Sequence, residues 1–320
     1  MDDRYDLICI GSGVAGLSAA LYAGRYKMRV LVIGEKFGGE TATAGTIHNY
    51  PGAPHVDGYE LMKIMRDQAK ELGALFLDGR VTAISQGGGC FALTVKDKRY
   101  FGGTVMFGIG TERRHLNLPN ETELTGRGVH FCITCDGPLY GGKTIAIVGG
   151  GDASVKGLNL AAEYAEKIYL ITLNKSELNA EPINLEQMKS LGDKVEVIFD
   201  TTIAELIGEK KLERIVLSKK YKGSTDLIVD GIFVEIGAIP HVELAVSLGV
   251  ALDDHGYIAT DSMMRTNVEG VFAAGDIVNL FGSFKQDITG AAMGAVAATS
   301  AYNFHKTHGN LCQLHWVPEK

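Results

Sequence analysis

The chain has 320 residues, 46% of them hydrophobic and 22% charged, with a formal net charge of −7. That length buries a full core and favours two domains. The acidic balance and the lack of a long lysine–arginine run leave no footprint for nucleic acid, and no apolar stretch is long enough to span a membrane.

Met1-Asp-Asp-Arg4 leads straight into a strand and leaves no room for a signal peptide, so a cytoplasmic protein is expected. That strand, Tyr5-Asp-Leu-Ile-Cys-Ile10, is a short apolar run of the kind buried on both faces of a parallel sheet. Gly11-Ser-Gly13-Val-Ala-Gly16 follows it. In such a loop Gly11 makes the tight turn, Gly13 lets backbone approach a pyrophosphate, and Gly16 lets helix pack on strand. A helix is predicted from Val14 to about Tyr26, with Leu17, Ala20 and Leu21 facing inward and its N-terminal amides turned to a diphosphate. A second strand over 29–33 completes a βαβ unit. Its end is where an acidic residue is expected to hold a ribose. Here the strand ends at Gly34, and Glu35 after it is either that ligand or a solvated turn carboxylate.

The pattern recurs at Thr144-Ile-Ala-Ile-Val148, followed by Gly149-Gly150-Gly151-Asp152-Ala153-Ser154. A helix from Val155 to about Ala165 and a strand over 167–172 are predicted. Later, Phe272-Ala-Ala-Gly275-Asp276 reads as a strand ending in a loop carboxylate whose character belongs with a flavin domain. The expected fold class is therefore α/β, with two Rossmann-like three-layer nucleotide-binding domains, the second inserted into the first. The boundaries are 1–114 with 242–320 for the outer domain and 115–241 for the insertion. Candidate linkers over 111–119 and 237–242 each hold a proline that limits their conformations.

Between the two loops stands Cys132-Ile-Thr-Cys135-Asp136-Gly137. Two intervening residues let the sulfurs close a small ring, and a cysteine at a helix start or beside a positive group reacts as thiolate. A C-x-x-C near βαβ units points to redox chemistry. The alternatives are a loop cap and a zinc site. Zinc needs a second close ligand pair, and His305 and His308 have only Cys312 nearby, so no metal is expected. Cys9 lies inside an apolar strand as a core residue, and Cys90 and Cys312 stand outside any motif.

These residues resemble the low-molecular-weight thioredoxin reductases over nearly the whole length. The resemblance is carried by the C-x-x-C-D-G segment, by Gly38-Gly39-Glu40-Thr41 with Asn49-Tyr-Pro-Gly52, and by Phe272-Ala-Ala-Gly275-Asp276. Phe284-Lys-Gln-Asp-Ile-Thr289 looks like the family's arginine-glutamine-alanine segment, with Lys285 and Asp287 as departures. The resemblance implies FAD in the outer domain. Gly11, Gly13 and Gly16 would hold its pyrophosphate, Asp276 its ribitol, and backbone near Gln286, Asp287 and Ile288 would face the ring. Gly34, Glu35, Gly39, Glu40, Thr41, Asn49, Gly110 and Gly275 complete the implied FAD set, although Asn49 reads equally as a turn cap before Pro51. It also implies that Cys135 faces the flavin, that Cys132 exchanges with a thioredoxin-like protein, that Asp136 supplies and takes protons, and that the protein is a homodimer.

The second nucleotide site departs from that family. Members that use NADPH carry a His-Arg-Arg and a further arginine after the second strand, to hold the 2′-phosphate. Here the stretch is Thr172-Leu173-Asn174-Lys175-Ser-Glu-Leu-Asn179, with no arginine and no acidic residue at the strand end for an NADH ribose. The phosphate loop with Gly149, Gly151, Asp152, Ala153 and Ser154 remains, while recognition of the adenosine end is missing. NAD(P)H is therefore not the expected donor, and ferredoxin or a reduced flavin carrier takes its place. Two other readings stay open: a dithiol oxidase that passes electrons to oxygen, and a non-catalytic flavin-binding redox sensor. At the C-terminus His315 and Trp316 read either as a frayed end or as a stacking cover for the flavin or a neighbouring subunit.

Overall fold

The structure, a computed structural model, describes residues 4–282 and 284–308. His315, Trp316 and Cys312 lie outside the described residues. The chain divides into two compact units, one of Met1–Glu112 with Pro240–Lys320 and one of Arg113–Ile239.

In the first unit the strand Arg4–Ile10 pairs in parallel with Val30–Gly34 on one side and Lys98–Phe107 on the other. Leu7, Ile8, Cys9, Val30 and Phe107 are fully or almost fully buried there, which explains why the sequence of this strand does not alternate. Leu75–Asp78 extends the sheet beyond Val30–Gly34. On the far side Lys98–Phe107 is long enough to serve two partners. Its start pairs antiparallel with Cys90–Val95, and its end pairs in parallel with Val271–Ala273.

The helix Val14–Arg25 packs against Asp287–His308 through small residues on both sides. A Cβ on Gly294 would lie 2.2 Å from the Ala15 carbonyl oxygen, so only glycine permits this approach. Ser18 Oγ donates to the Ala291 carbonyl over 2.7 Å and fixes the register. This packing brings the start of both helices, and with them the first glycine loop and residues 286–288, into one neighbourhood.

In the second unit five strands pair in parallel, in the order Val129–His130, Gly231–Val234, Thr144–Val148, Lys167–Ile171 and Val195–Ile198. Alternation along Thr144–Val148 separates two cores. Ile145 and Ile147 face Val155, Leu158 and Phe233, while Ala146 and Val148 join Leu206, Ile215 and Leu217. The latter come from a small antiparallel sheet of Ile203–Ile207, Arg214–Tyr221 and Ser224–Leu227. Each fully buried aliphatic or aromatic side chain contributes about 1.5–3 kcal/mol relative to exposure.

The α/β class and the two Rossmann-type folds expected from the sequence are present. The second predicted helix starts three residues earlier than expected, spanning Asp152–Ala161. Gly151 is extended and caps it, and Asp152 opens its first turn, where a carboxylate suits the positive end of the helix dipole. Among the described residues no helix is long and apolar enough to cross a membrane.

Candidate active site

The first glycine loop is a crossing of bare backbone. Gly11 runs at φ +113°, and a Cβ there would lie 2.1 Å from the Gly108 carbonyl oxygen. A Cβ on Gly16 would lie 1.9 Å from the Gly11 carbonyl oxygen. Gly13 differs, because a Cβ on it would meet nothing closer than 3.9 Å. Two glycines close the turn, and the one between them leaves an open side.

Beside this loop is a cavity of about 450 Å³ lined by Ser12, Gly34, Phe37, Arg66, Phe76 and Asp78, among others. The Arg66 guanidinium lies over the Phe37 ring, 4.2 Å from its centroid, and its buried Nε has no hydrogen-bond partner. Asp67 Oδ1 is 3.8 Å from that nitrogen, too far for a hydrogen bond. A buried donor left unmet at a cavity wall fits a bound polar group, and a dinucleotide brings several. Glu35 stands at the surface, 3.9 Å from Arg80.

The other candidate flavin residues converge at the start of Asp287–His308. Thr41 Oγ1 donates to Asp287 Oδ1 over 2.6 Å, and Asn49 Nδ2 donates to Gln286 Oε1 over 2.8 Å. Gly39 and Gly110 run at φ +58° and +75°. Gly275 packs on Ala15 so closely that a Cβ added to it would lie 3.0 Å from the Ala15 methyl, and Ile288 is 38% exposed. Burial pushes the Asp276 carboxyl above the usual carboxylate range, with Asp287 and Glu40 adding to the rise and Lys285 opposing it. Lys285 Nζ donates to the backbone carbonyls of Asp276 and Val278 and sits 4.1 Å from the Tyr257 ring centroid. Burial lowers the pKa of this lysine against the pull of Asp276 and Asp253. At this departure from the family pattern the cation braces the Asp276 loop.

The second glycine loop has the same backbone plan but is more crowded. A Cβ on Gly150 would fall 2.2 Å from Thr172 Oγ1 and 2.8 Å from Asn174 Nδ2. Asn174 Nδ2 donates to the Glu177 carbonyl over 2.7 Å and, at 3.4 Å, to the Gly150 carbonyl. The Asn179 N–H donates to that same Gly150 carbonyl over 2.8 Å. Asp152 Oδ1 accepts from the Glu181 N–H and from Asn184 Nδ2, and Ser154 Oγ donates to the Gly151 carbonyl. Ala153 is exposed. At the strand end Leu173 is 71% exposed, so the position that would recognise an adenosine ribose presents an apolar side chain.

Cys132 and Cys135 are joined as a disulfide, their Cα atoms 5.3 Å apart. Cys132 caps the short helix Ile133–Asp136, and the Cys135 N–H donates to Cys132 Sγ over 3.2 Å. Asp136 Oδ2 lies 2.9 Å from Nδ1 of His130. Nε2 of His130 lies 2.7 Å from the Tyr140 hydroxyl. Burial, together with Asp136 and Asp230, pushes the Tyr140 hydroxyl up to about 12.

Within one unit the structure thus gathers the first glycine loop with residues 39–41, 49, 275–276 and 286–288. Within the other it sets Asp136 against His130, and Ile133 of the cysteine segment against Gly157 on the helix that follows the second loop. Sequence reading missed Arg66, His130 and Tyr140. His130 carried a readable signal, a histidine ending a strand two residues before a redox cysteine. Arg66 carried none beyond its place on the amphipathic helix Gly58–Glu71.

A sequence family described as pyridine nucleotide-disulphide oxidoreductase matches residues 5–300. The thioredoxin reductase of Treponema pallidum (strain Nichols) is 36% identical over 313 residues, covering 97% of this chain and 100% of the relative. The crystal structure of Lactococcus lactis thioredoxin reductase matches with TM-score 0.88 at 32% identity, over 95% of this chain and 99% of that one. A ferredoxin-flavin thioredoxin reductase from Clostridium acetobutylicum matches with TM-score 0.51 at 30% identity, over 95% and 99% of the two chains. Similarity at this level, end to end in sequence and in fold, admits one assignment: the chain belongs to the pyridine nucleotide-disulphide oxidoreductases, as an enzyme acting on a disulfide with the fold of the low-molecular-weight thioredoxin reductases.

Proposed function

We propose that this enzyme is an FAD-dependent reductase of a protein disulfide such as that of thioredoxin, supplied with electrons by a donor other than NADPH. The observation that carries it is the Cys132–Cys135 disulfide, followed in the chain by Asp136, in a nucleotide fold whose strand end presents the exposed Leu173 where adenosine would be recognised. Bound FAD supplies the conversion between electrons received singly or as hydride and electrons delivered in pairs to a disulfide.

The chain's own residues divide the remaining work. The open side of Gly13 and the start of the helix Val14–Arg25 receive the diphosphate, with the dipole of that helix favouring its charge. Arg66 meets a polar group in the adjoining cavity, and Asp276 accepts from ribitol hydroxyls. The Cys135 N–H, already directed at Cys132 Sγ, stabilises a thiolate there, which makes Cys132 the sulfur that attacks the substrate disulfide. Asp136 holds and returns the proton of the other sulfur. A carboxylate so placed favours the reductase direction, because a leaving thiolate needs a proton.

The donor is proposed as ferredoxin or a reduced flavin carrier. Asn174 spends its amide on the loop backbone and Leu173 offers no hydrogen bond, so a 2′-phosphate finds no paired donor. The Clostridium acetobutylicum structure shows that a ferredoxin-flavin thioredoxin reductase exists at comparable identity. A cytoplasmic homodimer belongs to the same proposal, and light scattering tests the dimer. Anaerobic stopped-flow mixing with NADPH, NADH, reduced ferredoxin and reduced flavin, followed by thiol counting with thioredoxin present, tests the reading as a whole. Fast flavin reduction by micromolar NADPH overturns the donor assignment. Oxygen consumption driven by a dithiol, without thioredoxin reduction, overturns the direction.

A further inference from the structure

His130 is 4% exposed and lies in the same unit as the cysteine pair. Both its ring nitrogens are engaged, Nδ1 with Asp136 Oδ2 at 2.9 Å and Nε2 with the Tyr140 hydroxyl at 2.7 Å. Its ring stacks on Phe233 with centroids 5.3 Å apart, and Phe233 stands edge-on to Tyr140. Tyr140 in turn sits over Gly231, where a Cβ would fall 2.4 Å from the phenol ring. The ring is thus held in place on every side. A buried imidazole is costly to desolvate unless its nitrogens are partnered, and here one partner is the carboxylate next to Cys135.

We propose that His130 is a positioning residue for the disulfide chemistry, storing the proton that Asp136 passes to the Cys135 sulfur. The proposal rests on the redox reading of Cys132–Cys135 given above. When the S–S bond breaks on taking up two electrons, which bound FAD would supply, Cys132 remains a thiolate beside the Cys135 N–H. One proton moves from His130 Nδ1 to Asp136 and from Asp136 to the Cys135 sulfur, leaving a carboxylate and a neutral ring. In the return half, Cys132 attacks the substrate disulfide and one substrate sulfur leaves, taking a proton from water. The Cys135 thiol then gives its proton back through Asp136 to His130 and attacks Cys132 Sγ. That step re-forms the disulfide and expels the second substrate sulfur as thiolate.

Tyr140 makes the store workable. Its hydroxyl, held at about 12, stays protonated and accepts from the Nε2–H that the ring keeps whether or not Nδ1 carries the stored proton. The groups that face His130 are Asp136 and Tyr140, with Phe233 across the ring. Asp230 and Lys143 lie near Tyr140, Lys143 Nζ being 5.1 Å from the phenol centroid.

The test uses FAD-loaded enzyme, pre-reduced and mixed in a single turnover with oxidised thioredoxin across pH. His130→Asn keeps an amide N–H near the Nδ1 position and removes the titratable proton. Its rate is expected to match wild type within about twofold at pH 6 and to fall about tenfold below it at pH 8. Adding His130→Asn to Asp136→Asn is expected to cost nothing more, because His130 acts through Asp136. Parallel pH profiles, or additive losses, overturn the proposal. Tyr140→Phe gives a smaller shift in the same direction and serves if His130→Asn does not fold. Independently, the ¹⁵N shifts of His130 in the wild type are expected to titrate at a different pH once a phosphine has reduced the disulfide. An unchanged titration overturns the proposal. A wild type that leaves thioredoxin oxidised while the His130 titration moves overturns the substrate assignment and leaves the proton store standing.

Discussion

The Asn49 side-chain amide donates to the Gln286 carboxamide oxygen over 2.8 Å, joining positions 237 residues apart in the chain. Thr41 and Asp287 make a second such bond one residue further along the same helix start. These two bonds hold the loop after the 3₁₀ turn Thr41–Thr43 against the segment expected to face a flavin ring.

The Asn49–Gln286 bond makes the two residues act as one. Asn49→Ala and Gln286→Ala are each expected to loosen flavin retention. The double variant is expected to fall short of the sum by about 0.5–1.5 kcal/mol, the net worth of one hydrogen bond. Strict additivity in flavin titrations would show that the pair is not coupled.

Gly13 and Gly16 lie three residues apart but predict opposite outcomes. Gly16→Ala drives a methyl into the Gly11 carbonyl oxygen and is expected to cost at least about 1–3 kcal/mol of stability, as overpacking does. Gly13→Ala meets nothing within 3.9 Å. It is expected to leave the melting temperature of flavin-free protein unchanged while weakening flavin binding. Equal destabilisation by both would remove the argument for an open side at Gly13.

Asp276 predicts a pH signature. Its folded pKa is raised, chiefly by burial, so its ionised form opposes folding. That penalty is absent below the unfolded value of about 4 and grows as pH rises through the folded one. Asp276→Asn is therefore expected to raise the melting temperature of flavin-free protein at pH 7, with no gain at pH 3.5, and to weaken flavin binding at both. A gain independent of pH would show that the carboxylate is not the source.

The cysteines separate by spectrum. Cys135→Ser is expected to abolish disulfide reduction with flavin retained. Cys132→Ser, by the family resemblance, leaves a Cys135 thiolate on the flavin side and a long-wavelength absorbance band. Appearance of the band in the Cys135 variant instead would invert the two roles.

At the second loop, Leu173→Arg is expected to be harmless to stability, since the side chain is 71% exposed. Combined with Asn174→Arg it is expected to tighten NADPH binding, each charge-assisted bond to the 2′-phosphate adding about 1.5–3 kcal/mol. Because Asn174 also binds the loop backbone, the double variant loses some stability that Leu173→Arg alone keeps. Calorimetry with NADPH that shows no gain would mean that the loop at Gly149–Gly151 is closed to phosphate.

The sequence by itself determined whatever local chemistry demands. Tyr5–Ile10 had to be a strand buried on both faces, Gly11 and Gly149 had to turn where side chains cannot, and Cys132 and Cys135 could close a ring across two residues. Each of these depends on interactions within a few positions, so spacing alone reveals them. Even the missing arginines after the second strand were legible, because a fixed offset from the glycine loop says where they belong. What tertiary structure alone decided is every contact across the sheets. The pairing of Asn49 with Gln286 joins positions 237 residues apart, and Lys285 braces the Asp276 loop by reaching the carbonyls of Asp276 and Val278. No periodicity encodes which polar groups packing brings together. The Asp136–His130–Tyr140 chain lies between the two cases, within ten residues yet invisible as a motif. Its three side chains meet only because the strand Val129–His130 pairs with Gly231–Val234, which sets Phe233 and the bare Gly231 beneath the imidazole and the phenol.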